Sequence, residues 1–308
     1  MEIKERLCGN WPIRFVDRPF AMTAEMVQDG AKCLAKWQKL FAPEQTWVRE
    51  NLGVPSLLAR IDVTIMDEHL MYYEVEERPS GMGVTSIVNQ QFAGLLQEIS
   101  SIWPDFSIVI SPLRRGTDDN IWAKNITTTI PDEGLVLVRA EPEEEAFHHL
   151  TARSVSSLQE KGNKSYGLEM GFWSWASNPR DLSWHLPFTV KPVKGSKTRG
   201  VHIWHPGRLA GSSSRKQIER AFAEYGSMYC QPFLPPIESG IEEAPWMILR
   251  VYYGFHLPSS SWLCLGGCWN ARPNLKIHGA SDAIFGPVTV ELQEGQTLPL
   301  RFLTLLNF

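Results

Sequence analysis

The sequence predicts a mixed α+β protein, with parts of α/β character, and three observations carry that prediction. Residues 57–84, LLARIDVTIMDEHLMYYEVEERPSGMGV, alternate apolar and polar positions and read as a β-hairpin. Two segments, 23–41 and 86–103, place apolar residues at helical spacing. Late in the chain, 246–255 (WMILRVYYGF) and 261–269 (SWLCLGGCW) read as neighbouring strands. A chain of 308 residues can bury a sizeable core and form two or three subdomains.

Bulk properties narrow the function classes. Hydrophobic residues at 43% and charged residues at 21% are those of an ordinary soluble globular protein. A net charge of −4 offers no basic field for nucleic acid. No apolar run approaches the roughly 20 residues that span a bilayer, so no membrane is expected. The start, MEIKERLCGNWPIRF, has no apolar signal region. Five scattered cysteines include one close pair, Cys264 and Cys268, without the second pair or histidines of a zinc site. Reduced thiols in a cytoplasm are therefore expected.

The first helix is expected over 23–41, capped by Thr23, with Met26, Ala31, Leu34, Trp37 and Leu40 packing inward. The hairpin follows. Ile61, Val63 and Ile65 alternate with Arg60, Asp62 and Thr64, residues 66–69 turn, and 70–75 return. Asp62 and Glu74 lie six residues either side of Glu68 and so roughly opposite each other. Glu76, two residues past Glu74, shares that face. Three carboxylates and Arg60 then lie on one surface. Like charges facing across a sheet are unfavourable unless a cation sits between them, and an all-oxygen set suits Mg²⁺. A solvated acidic face is the alternative. The Pro-Ser-Gly-Met-Gly run beyond reads as a flexible turn.

A second helix is expected over 86–103, then short strands at 106–110 and 134–139. Strand, helical gap, strand fits a small α/β subdomain, whose polar loop 111–122 follows a strand. Residues 158–166 contain Gly162-Asn163-Lys164. The stretch 187–203, PFTVKPVKGSKTRGVHI, reads as strand, Lys191-Pro192, a basic loop with Gly195, Ser196 and Gly200, and a second strand. Glycines let backbone N–H groups approach phosphate oxygens, and a strand-borne lysine adds a fixed charge. An ordinary basic hairpin is the alternative. A helix over 212–225 and a strand over 227–234 ending Gln231-Pro232-Phe233 follow. Arg272 comes after what reads as a Gly-Gly-Cys-Trp-Asn turn, and 286–308 gives no clear signal.

Arg60-x-Asp62, then Glu74-x-Glu76, then a Pro/Gly turn, resembles the metal hairpin of ATP-grasp ligases. The hairpin precedes the lysine-bearing part, which is similar to the circularly permuted, glutathionylspermidine synthetase-like group. That group has Asn where this chain has Glu76. The likeness extends to Asn163-Lys164, the Lys191-Pro192-x-x-Gly195 lid, Gln231-Pro232-Phe233 and the late Arg272, over roughly 55–85 and 160–280.

The resemblance implies a permuted ATP-grasp architecture, with nucleotide held between two α+β subdomains and a small α/β subdomain inserted. Its parts would be the N-terminal helix and metal hairpin (1–85), the small substrate-type subdomain (86–155), the lid and nucleotide-binding part (156–245) and a return to the core (246–308). It implies an ATP-dependent carboxylate–amine ligase that uses Mg²⁺ and joins a small-molecule or peptide carboxylate to an amine. Asp62, Glu74 and Glu76 would hold Mg²⁺. Lys164, Lys191, Gly195, Ser196 and Gly200 would surround the phosphates, and Gln231 the adenine. Glu238 or Glu242 would take the ribose. Arg60 and Arg272 would meet the transferred phosphoryl group. Arg114, Arg115, Asp118 and Asp119 become candidates for the substrate site. A degenerate nucleotide-binding scaffold and a phosphotransferase remain the alternatives.

Overall fold

The computed structural model describes residues 2–8, 11–40, 58–76, 81–100, 102, 170–192, 200–209, 211–277 and 282–291. Its strands are β1 (Lys4–Cys8), β2 (Trp11–Phe15), β3 (Phe20–Met22), β4 (Leu58–Met66), β5 (His69–Glu76), β6 (Ser174–Ala176), β7 (Phe188–Pro192), β8 (His202–Trp204), β9 (Met228–Pro232), β10 (Ile237–Glu238), β11 (Trp246–His256), β12 (Ser261–Arg272) and β13 (Ile284–Val290). Its α-helices are α1 (Ala24–Leu40), α2 (Met82–Val88), α3 (Gln90–Ser100) and α4 (Arg215–Tyr225). The strands expected at 106–110 and 134–139, most of the expected small α/β subdomain, and Lys164, Gly195 and Ser196 lie outside the described residues.

The most continuously apolar strands, β11 and β12, sit in the middle of a sheet ordered β1-β2-β13-β12-β11-β4-β5. β3 adds to β13 and β10 to β11. Pairing is antiparallel except where β13 meets β2 and β3. Both faces of the centre are covered, which is why these strands lack polar alternation. α1 lies on one face. Its cap is Thr23, whose Oγ1 accepts from Met26 N at 3.3 Å. Tyr253 Oη donates to Val27 O at 3.2 Å. Gly30 makes this approach possible, since a Cβ there would lie 1.9 Å from that hydroxyl.

Tyr252, the next residue along β11, points to the opposite face and meets Phe92 of α3 at 4.8 Å between rings. The sequence suggested one helix over 86–103. Instead the helical chain starts at Met82 and breaks at Asn89, whose φ is −136°. Asn89 explains the break. Its Nδ2 donates to Gly267 O at 2.8 Å and Val288 O at 2.7 Å, and its Oδ1 accepts from Phe92 N at 3.1 Å. One side chain satisfies two strand carbonyls and caps α3.

Two further expectations change. Gly266 and Gly267 are no turn: β12 runs through them to Arg272 with a bulge opposite Tyr252 and Tyr253. Gly266 has φ +75°, and a Cβ on Gly267 would lie 1.9 Å from Arg250 O. The glycines serve the bulge and close strand packing. β1, β2, β3 and β13, none of them expected from periodicity, complete one side of the sheet.

A second sheet, β6-β9-β7-β8, is antiparallel and packs on α4. Ser214 caps α4 in a reciprocal box with Gln217, and Ile218, Ala221 and Phe222 point inward. They join Phe188, Val190 and Met228 in a separate small core.

Candidate functional site

The site begins with a two-residue turn. Asp67 and Glu68 have φ of 50° and 67°, which matches the right-handed strand twist of a tight hairpin. From that turn, Met66 pairs with His69 and Val63 with Tyr72. A bulge then intervenes, so Asp62 pairs with Glu74 and Arg60 with Glu76. Because side chains alternate, a single-residue shift decides which face they reach. The bulge at Tyr73 therefore brings Glu74 and Glu76 onto the face of Asp62. Leu70, Tyr72 and Val75 stay on the core face.

Carboxylate oxygens of Asp62, Glu74 and Glu76 lie within 4.8 Å of one another. Arg60, only 2% exposed, answers part of that charge. Its Nε donates to Asp62 Oδ1 at 2.7 Å and its Nη2 to Asp62 Oδ2 at 3.1 Å. The same Nη2 is 3.0 Å from Glu76 Oε1. Burial works against the Arg60 charge, but Asp62 and Glu76 outweigh it and hold the guanidinium above its ordinary range. Burial pushes the Glu76 carboxyl up to about 7, with Arg60 and Arg250 pulling down and Glu74 and Asp62 pushing up. Two arginines, Arg60 and Arg250, face three carboxylates. The cluster is an all-oxygen donor set of the kind a hard divalent cation takes.

The second sheet reaches this hairpin. Among the described strands β5 lies at the edge of its sheet, and carbonyls at its bulge meet side chains. Lys191 Nζ donates to Tyr73 O at 3.1 Å, and Gln231 Nε2 donates to Tyr72 O at 2.8 Å. Lys191 also lies over the Trp173 ring, 4.5 Å from its centroid. The connection after β9 crosses the same place. Tyr73 Oη donates to Leu234 O at 2.9 Å and Thr64 Oγ1 to Pro235 O at 2.7 Å. Residues 118 to 171 positions apart in the chain therefore meet at one hairpin. Gly200, with φ +71°, packs between Pro192 and Tyr225 just before β8.

Arg272 is not in this cluster. It ends β12, four residues beyond Cys268, which pairs with Arg250. Its Nε and Nη2 donate to the two Asp282 oxygens at 2.9 and 2.8 Å, and its Nη1 donates to Lys276 O at 2.8 Å. Glu238 lies on β10, and both it and Glu242 are exposed.

Two residues were passed over in the sequence. Arg250 pairs with Asp62 across β4 and β11, its Nε 3.9 Å from Asp62 Oδ2. Asn270 is fully buried two residues along from Cys268. Both had a signal: each is a lone polar residue inside an otherwise apolar strand.

No family model matches the sequence, and no curated protein matches it. Among solved structures, the chain is similar to a protein from Methylobacillus flagellatus KT provisionally described as a gamma-glutamylcysteine synthetase. The TM-score is 0.43 at 12% identity, covering 91% of each chain. It is also similar to a glutathione synthetase-like effector from Globodera pallida, with TM-score 0.39 at 10% identity and 89% of each chain covered. Likeness at this level assigns no function.

Proposed function

We propose that the protein is an ATP-dependent carboxylate–amine ligase of permuted ATP-grasp type. The observation that carries this reading is the meeting at one hairpin of Asp62, Glu74 and Glu76 with Lys191 and Gln231 from the second sheet. A metal site alone needs only the carboxylates. A lysine and an amide arriving from a separate sheet make the place suited to a nucleotide spanning both. The chain order, hairpin before lysine strand, is that of the permuted arrangement.

Asp62, Glu74 and Glu76 would hold Mg²⁺, which would supply positive charge against the phosphates. Lys191 turns from the Tyr73 carbonyl to a phosphate oxygen. The backbone around Gln231 meets the adenine edge, and its side chain keeps β9 on the hairpin. Lys164, Gly195, Ser196 and Gly200 complete the phosphate surroundings in this reading. Arg60 supplies charge beside the reacting groups. A substrate carboxylate oxygen attacks the γ-phosphorus and ADP leaves, giving an acyl phosphate. The amine nitrogen then attacks the acyl carbon, phosphate leaves, and the nitrogen gives up a proton. Excluding water from that intermediate is the work of the closed site.

The test is product analysis with Mg²⁺, ATP and arrays of carboxylate–amine pairs. ADP, phosphate and an amide are expected. ADP with a stable phosphorylated product would make the protein a phosphotransferase. No ADP across the array, with nucleotide still bound, would make it a scaffold.

A further inference from the structure

On the face that carries the carboxylates, two buried polar groups lack hydrogen-bond partners. Asn270 is 0% exposed, yet neither its Nδ2 nor its Oδ1 makes a hydrogen bond. Arg250 Nε is buried and also without one, since 3.9 Å to Asp62 Oδ2 is beyond hydrogen-bond reach. Folded proteins satisfy nearly all such groups, so two orphans in one place point to a missing occupant.

The sheet register places them together. Asp62, Arg250 and Cys268 form one cross-strand row. Asn270 is two residues on from Cys268 and so faces the same way. It is a diagonal neighbour of Arg250, with Cα atoms roughly 7–8 Å apart. Thr85 of α2 borders the row, its Oγ1 3.2 Å from Cys268 Sγ.

We infer that Arg250 and Asn270 form the subsite that receives the acyl substrate, and that this substrate is an α-amino acid. Arg250 Nε and Asn270 Nδ2 are N–H donors, which a carboxylate accepts. Asn270 Oδ1 requires a donor, which an ammonium or amide N–H beside that carboxylate provides. A simple fatty or keto acid leaves Oδ1 unanswered, and a simple amine leaves Arg250 unanswered. Beside Asp62, the bound carboxylate lies next to the metal ligands. The inference rests on the ligase reading for the role of the site but not for its chemistry.

The test uses the full chain and measures binding of the twenty L-amino acids, acetate, butyrate and butylamine by thermal shift and calorimetry. Each is measured alone and with Mg²⁺ plus a non-hydrolysable ATP analogue. At least one amino acid is expected to bind at least tenfold more tightly than acetate, butyrate or butylamine. Asn270→Leu and Arg250→Lys are each expected to weaken it at least tenfold while analogue affinity stays within twofold. Asn270→Leu is also expected to raise the Tm of the ligand-free protein, because it removes an unsatisfied amide. A fall in Tm would mean that an internal water already satisfies Asn270, and would overturn the assignment. If Asn270→Leu does not fold, Arg250→Lys decides by the same binding criterion. Nucleotide binding with no amino-acid binding refutes the subsite and leaves the ligase reading standing. Amino-acid binding without any nucleotide binding does the reverse.

Discussion

Glu74→Gln separates a metal site from a decorated surface. Arg60 engages Asp62 and Glu76, while Glu74 makes no hydrogen bond or ion pair among the described residues. Its oxygen lies within 4.8 Å of those of both other carboxylates. At that separation two unit charges repel by about 3.5 kcal/mol at an effective dielectric of about 20. Arg60 and Arg250 offset part of this, so the amide is expected to stabilise the metal-free protein by about 1–2 kcal/mol in urea unfolding. Metal binding should move the other way. Loss of an outer partner of a metal ligand alone costs about 10–100-fold in affinity, so loss of a ligand should cost at least about 100-fold. Calorimetric titration with Mn²⁺ and Mg²⁺·ATP measures it. Glu76→Asn is the companion: it keeps an oxygen ligand at that position and should keep most of the affinity. If Glu74→Gln destabilises the protein and leaves metal affinity unchanged, the carboxylates are not a cation site.

Three further outcomes are expected. Gly267→Ala would place a Cβ 1.9 Å from Arg250 O; it should cost at least about 1–3 kcal/mol in unfolding free energy, whereas a wild-type unfolding curve would refute the packing argument. Arg272→Ala removes a bidentate pair and a bond to Lys276 O; it should lower stability by about 1–3 kcal/mol with nucleotide affinity little changed, and a turnover loss of about 10²–10³ at unchanged stability would instead place it at the reacting phosphoryl group. Burial raises the thiols of Cys33 and Cys264 to about 12 and of Cys230 to about 11, above the roughly 8.5 of an unfolded thiol. The folded state therefore keeps protons that the unfolded chain releases. Stability should be full below about pH 8.5 and fall as pH rises from there towards 11, by up to about 1.4 kcal/mol per pH unit for each thiol. Urea midpoints at pH 8 and 10.5 check this, together with slow alkylation of the native thiols at pH 8.

Local pattern by itself determined much of the architecture: the hairpin at 58–76, α1, α4, β7, β9 and the β11–β12 pair all announce themselves by periodicity and caps. The pairing of Asp62 with Glu74 followed from counting outward from the turn, because the bulge at Tyr73 adds the one residue that the tight turn lacks. What lies beyond local pattern was decided only by packing. Asn89 breaks a helix because two strand carbonyls far away in sequence need its amide. Gly266 and Gly267 look like a turn, but a neighbouring strand passes too close for any side chain. Arg272 looks free in the sequence, yet Asp282 and Lys276 O take its donors. Arg250 and Asn270 read as odd residues in apolar strands until cross-strand register, a long-range property, puts them in line with Asp62. Chemistry that depends on which strand lies beside which is written in the sheet order, and no window of the sequence contains it.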